Sequence, residues 1–171
     1  DYKDVTYGAS YGPLATTSFT GYTFNGWYTA PVSGSLVTES TIVTTAAAHT
    51  LYAQWTANTY TVTFDAQGGI APTPGTKSVT YDAAYGTLAT TSRTGYTFTG
   101  WYTASTGGTA VTDATVVETA NDHTLYAQWT ANSYTVTFDA QGGAAPTPGT
   151  KSVIYDAAYG TLATTSRTGY T

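Results

Sequence analysis

Tyr60-Thr61-Val62-Thr63-Phe64 sets apolar and polar residues in strict alternation, the period of a strand with one buried face. Tyr60, Val62 and Phe64 take the inward phase. Ser78-Val79-Thr80-Tyr81 resumes the alternation, with Val79 and Tyr81 inward, after a stretch broken by Gly68, Gly69, Pro72, Pro74 and Gly75. Breakers at that density mark a turn, so the two strands read as a hairpin. Asp65, just before Gln67-Gly68-Gly69, suits turn geometry. Residues 82–94 hold small side chains around Gly86, with Leu88 as their anchor. A third strand begins at Tyr96-Thr97-Phe98-Thr99 and meets Gly100. Strict alternation would turn Trp101 away from Tyr96 and Phe98, whereas a bulge at Gly100 returns it to their face. Residues 104–122 are the least regular, with a short helix expected near Val116-Val117. His123–Trp129 is a fourth strand that places Leu125, Ala127 and Trp129 on one face and Tyr126 on the other.

The same pattern returns along the chain. Gly21-Tyr22-Thr23-Phe24 recurs as Gly95-Tyr96-Thr97-Phe98 and restarts at Gly169-Tyr170, each a step of 74 residues. Trp27 falls on Trp101, Leu51 on Leu125, Trp55 on Trp129, and Tyr60, Val62 and Phe64 on Tyr134, Val136 and Phe138. These residues are the expected core of each unit. Segments 58–96 and 132–170 differ only at Thr59/Ser133, Ile70/Ala144 and Thr80/Ile154, a sign of duplication. Segments 31–48 and 105–122 differ at most positions, the mark of a tolerant surface loop. The boundaries follow: 1–58 is a unit lacking its first strand, 59–132 a complete unit, and 133–171 a partial unit holding the first hairpin. The fold expected is mainly β (α+β), with about four strands per unit in a mixed sheet and little helix.

Composition sharpens the picture. Of 171 residues, 41% are hydrophobic and 15% aromatic, but only 9% are charged, against ~25% in ordinary soluble domains. Thr, Ser, Gly and Ala fill the gap, and Thr, Tyr and Val favour pleated surfaces. The net charge is −5, and the five basic residues (Lys3, Lys77, Arg93, Lys151, Arg167) are scattered at repeat spacing. No run of cations neutralises phosphates, so nucleic acid is a poor partner, and no apolar stretch reaches the ~18 residues of a membrane span. With no cysteine there is no disulfide or thiolate framework.

Tyr60-Thr-Val-Thr-Phe-Asp65, Gly68-Gly69, Gly95-Tyr-Thr-Phe-Thr-Gly-Trp-Tyr102 and Leu125-Tyr-Ala-Gln-Trp129 together resemble the Listeria–Bacteroides repeat, also known from the internalin B-repeat. The resemblance covers essentially the whole chain. It implies a small β-grasp-like module of secreted or wall-anchored bacterial proteins that serves as stalk, spacer or interaction module, with no catalytic residues to carry over. One departure is Leu88–Thr94, where the family often has prolines.

Sharper chemistry finds little support. Asp122-His123 hints at a triad, but the first copy reads Ala48-His49, and no Gly-x-Ser-x-Gly elbow occurs. Enzymatic activity is not expected. The acidic residues are isolated, which disfavours a metal site, and no cofactor is expected. Trp101 and Trp129 suit core packing better than a sugar platform, while Tyr126 points the other way. Surface proteins of this type sometimes carry Lys–Asn isopeptide bonds. Lys77 and Asn132 recur once per unit, with Asp65 or Glu118 as the acid such a bond would need, although a turn lysine is normally solvated.

The first unit lacks a counterpart of Tyr60–Phe64, and Tyr134, Val136 and Phe138 form a spare copy. Strand addition between chains, head to tail, is therefore one expectation. The function expected is a non-enzymatic extracellular segment of a bacterial surface protein, acting as stalk, spacer or filament, with itself as partner. The alternative is an adhesion module for cell-wall or host glycans or a host protein. The strands persist between copies while the loops change, which favours scaffold over receptor.

Overall fold

The computed structural model describes residues 2–170. The described residues are all β: β1 (Tyr22–Tyr28), β2 (Leu36–Val37), β3 (Tyr52–Ala57), β4 (Thr59–Asp65), β5 (Thr76–Thr80), β6 (Tyr96–Tyr102), β7 (Ala110–Val111), β8 (His123–Ala131), β9 (Ser133–Thr137) and β10 (Thr150–Ile154). They form sheets of order β2-β1-β3, β5-β4-β8-β6-β7 and β10-β9. The complete set therefore has five strands rather than four, the extra one being the two-residue β7. Two compact units result, one from Asp1–Val62, Ser78–Gly86 and Asp113–His123, the other from Thr63–Lys77, Thr87–Thr112 and Thr124–Thr171.

The hairpin and the bulge form as the alternation and the glycine predict. β6 pairs antiparallel with β8 through Phe98↔Trp129 and Trp101↔Ala127, with the register slipping between Phe98 and Gly100. Gly100 has φ +139°, and Gly26 repeats the slip in β1 with φ +125°. An L side chain rarely enters that region, so glycine permits the extra residue that brings Trp101 round to the Phe98 face. The two rings meet at 5.6 Å, edge to face.

The expected helix near Val116-Val117 does not form. Asp82 N–H donates to Val117 O and Val117 N–H to Ala83 O, so this stretch pairs in extended form with residues 82–86. Two adjacent β-branched residues suit that state better than a helix. The corresponding bonds in the first copy join Gly8 and Ala9 to Val43.

The segment read as a tolerant loop carries core. Val37 and Val43 are buried with Tyr11, and Leu14 and Leu51 pack against them. Their counterparts Val111, Val117 and Tyr85 are buried too. Two valines survive in each otherwise variable stretch because they fill the interior.

In the second compact unit Trp101 is 2% exposed, stacks edge to face on Phe64 at 4.8 Å, and donates Nε1–H to Ala89 O at 2.8 Å. Trp27 makes the same bond to Ala15 O but stays half-buried. β8 lies between β4 and β6, and its Leu125 is wholly buried, whereas β3 is an edge strand and Leu51 is only partly covered. Of the other residues expected inside, Val62, Phe64 and Val79 are buried. Tyr22, Phe24, Trp55, Tyr60, Tyr81, Tyr96, Trp129, Val136 and Phe138 are half-buried. Phe98 and Tyr134 are exposed, Tyr134 by 49%.

Candidate functional site

The polar groups that recur with the repeat gather at one corner. Gly95-Tyr96 opens β6, and Asn132 joins β8 to β9. Asn132 N–H donates to Gly95 O at 2.9 Å, and Tyr155 N–H donates to Asn132 O at 2.8 Å. The Asn132 amide oxygen accepts the Thr97 hydroxyl at 2.6 Å. Backbone and side chain of one asparagine are thus both held.

On this frame Tyr155 and Asp156 meet Gly95 and Tyr96. The Tyr96 hydroxyl donates to Asp156 Oδ2 at 3.2 Å, and the two tyrosine rings cross at 79° with centroids 5.6 Å apart. The Tyr155 ring lies flat on Gly95: a β-carbon there would sit 2.4 Å from ring carbons, and φ is +79°. Only glycine admits this approach. Asp156 itself sits at φ +61°, a conformation that Asp tolerates better than most residues.

The corner exists twice. Seventy-four residues earlier, Tyr22 donates to Asp82 Oδ2 at 2.9 Å, its ring meets Tyr81 at 5.6 Å and 80°, and Gly21 lies under Tyr81. Asn58 repeats the role of Asn132, with N–H to Gly21 O and O from Tyr81 N–H. The Asp82 hydrogen bond is the main cause that pushes the Tyr22 hydroxyl above its ordinary pKa, with lesser help from burial and from the charge of Asp82. Burial is the main cause for Tyr96, followed by the Asp156 hydrogen bond and charge; Arg93 opposes the rise.

Arg93 stacks on Tyr96 and donates Nη1–H to Gln67 O at 3.1 Å. Beside it lies an open groove of about 370 Å³ lined by Gly68, Gly69, Ile70, Ser92, Arg93, Thr94, Tyr96, Tyr155 and Asp156. Arg93 and Asp156 line the groove as one cationic and one anionic group, and each has more donors or acceptors than its bond to Gln67 or Tyr96 uses.

The other candidate residues have definite places. His123 Nδ1 lies 3.0 Å from Asn121 O and must donate to it, which leaves Nε2 to accept the Tyr85 hydroxyl at 2.7 Å. His49 is held alike between Ala47 O and Tyr11. Each histidine therefore satisfies a buried tyrosine, and burial raises the Tyr85 pKa. Asp122 accepts the Thr61 backbone N–H at 2.7 Å. Asp65 accepts the Gln67 N–H at 2.8 Å, the turn role read from its position. Trp129 donates to Ala66 O at 2.9 Å. Lys77 Nζ donates to Thr87 O at 2.7 Å, while the Asn132 side chain serves Thr97, so the two have separate partners. Among the described residues no three His, Cys, Asp or Glu side chains cluster as a metal site would need.

The sequence reading named Tyr22, Tyr96, Tyr81 and Asn132 but missed what joins them. The signal was the pair Tyr81-Asp82, repeated as Tyr155-Asp156 and replaced at Tyr7-Gly8.

Comparison with known proteins agrees with the repeated geometry. A model of the Listeria-Bacteroides repeat domain matches residues 1–54, 60–128 and 134–171. The chain is similar to Internalin H of Listeria monocytogenes serovar 1/2a, with 45% identity over 120 residues, covering 70% of this chain and 21% of that protein. It is also similar to a protein of Evansella cellulosilytica that carries the name Gly-rich membrane protein, 38% identical over 140 residues, covering 74% of this chain and 16% of the relative. The chain thus spans about a fifth of the length of these relatives. The threefold match over most of the chain places it: the chain belongs to the Listeria-Bacteroides repeat domain family.

Proposed function

We propose that the chain is a non-enzymatic structural repeat, a stalk or spacer segment of a secreted or surface-exposed bacterial protein, built from β-grasp-like modules of 74 residues. The observation that carries this reading is what recurs at fixed spacing. Trp27 and Trp101 make one bond, Val37 and Val111 fill one place, and His49 and His123 hold one tyrosine each. These are architectural contacts. The order β5-β4-β8-β6-β7, with first and last long strands adjacent, supports a β-grasp-like module. The likeness to Internalin H supports a surface or secreted setting. Arrays of one to six copies of residues 59–132, viewed by negative-stain microscopy, should lengthen by a constant step per copy. Compact particles whose length does not grow would defeat the spacer reading.

The edge position of β3 supports a narrower reading, strand addition between copies of the chain. Hairpin β9–β10 of one copy adds to β3 of another and covers Leu51 and Trp27, as β4 borders β8 in the five-stranded sheet. Light scattering over a concentration series should then show open-ended association. A monomer at every concentration removes this element and leaves the spacer intact.

The groove beside Arg93 favours a second reading, an adhesion module for glycans. Vicinal hydroxyls of a neutral sugar suit one guanidinium and one carboxylate beside exposed tyrosine. A glycan array probed with the chain and with Arg93→Ala separates the two. Binding that the substitution abolishes supports adhesion, and no binding leaves the scaffold alone.

A further inference from the structure

We propose that Gly95-Tyr96 and Tyr155-Asp156 are the two halves of a docking surface between successive repeats, whose partner is the next module of the same chain, and that it couples the opening of one module to that of its neighbour. Gly21-Tyr22 with Tyr81-Asp82 is the preceding copy. This pairing deepens the spacer reading but stands whether the array spaces or binds.

Three observations meet here. First, the ring-on-glycine contact leaves no room for even a methyl group at Gly21 or Gly95, so each half is shaped to the other. Second, the tyrosine hydroxyl of one module donates to a carboxylate of the next, a charge-assisted bond that selects Tyr-Asp over Tyr-Gly. Third, the linker asparagine ties the halves together through its own N–H and C=O in both copies. A flexible linker would need none of these. The residue matching Asp82 and Asp156 in the first unit is Gly8, so a module of that kind presents the ring without the acceptor. The surface therefore carries a choice of neighbour as well as a grip: Tyr-Asp modules couple and Tyr-Gly modules follow loosely.

The test uses the full chain and the residue that the chain itself carries at Gly8. Tyr96→Phe combined with Asp156→Gly removes the bond without strain, since glycine adopts the positive φ of Asp156 freely. Amide exchange is then read at Asn132 and Tyr155, whose N–H groups span the joint, and at Val117, whose N–H bonds Ala83 within a module. The pair should exchange about tenfold faster while Val117 keeps its protection, with the mirror result at Asn58 and Tyr81 in Tyr22→Phe/Asp82→Gly. Unchanged exchange at Asn132 and Tyr155 overturns the proposal. So does an equal loss at Val117, which would mark general destabilisation rather than uncoupling. An imaging result against the spacer would leave this readout untouched, so the two ideas fail separately.

Discussion

The guanidinium carbon of Arg93 stands 3.9 Å from the centre of the Tyr96 ring, in the place where Phe19 stacks on Tyr22 at 4.5 Å with planes 3° apart. A planar cation and an aromatic ring thus serve one position. Each covers a tyrosine face that would otherwise meet water.

Stacking, rather than charge, is what that position asks for. Arg93→Phe should leave the free energy of unfolding within about 0.5 kcal/mol of the parent, whereas Arg93→Ala should lose about 0.5–1 kcal/mol. Urea unfolding monitored by tryptophan fluorescence measures both. A large loss on Arg93→Phe would assign the weight to the bond with Gln67 O instead.

Two equivalent tryptophans should differ in cost. Trp101→Ala empties a closed site against Phe64 and should cost about 3–5 kcal/mol. Trp27→Ala, at a half-buried site, should cost clearly less. Denaturant midpoints of the two variants decide the order, and equal losses would contradict the exposure difference.

His123 should prove structural. His123→Ala leaves the buried Tyr85 hydroxyl without its acceptor, at about 1–3 kcal/mol. Tyr85→Phe in the same background should recover part of that loss. Calorimetry on the single and double variants checks the coupling, which vanishes if the two groups act apart.

Alkaline pH should loosen the fold. Folding holds the hydroxyls of Tyr22, Tyr85 and Tyr96 protonated beyond their ordinary value of 10.0. Their contribution is complete below that value, because both states are then protonated. Above it the unfolded chain releases protons first, and stability falls until the folded groups have titrated too. Melting temperatures from pH 8 to 11 should decline past 10, and Tyr22→Phe/Tyr96→Phe should flatten the decline.

Local periodicity made the long strands, the hairpin turn at Asp65 and the bulge at Gly100 legible, because each depends on residues close in sequence. Val37, Val43, Val111 and Val117 were hidden by their setting. Their neighbours change between copies, and the two-residue strands of Val37 and Val111 and the isolated bridges beside Val43 and Val117 leave no alternation to read. The Val116-Val117 helix failed for the same reason, since its partner lies at Asp82-Ala83, over thirty residues away in sequence. The Tyr–Asp corner was equally out of reach. Tyr96 and Asp156 are 60 residues apart, and nothing in either segment alone says that they meet.

In the five-stranded sheet β4 and β8 are direct neighbours. The chain enters this sheet on β4 and leaves it on β8, and Asn132 alone separates β8 from β9. In the stalk proposed above, a pull along the chain would be handed from exit strand to entry strand across the pairing of β4 with β8. Strands β5, β6 and β7 lie outside that line of tension. In such a stalk, resistance of this sheet to the pull would rest first on the β4–β8 seam, and the changeable loop between β6 and β8 would lie off that line.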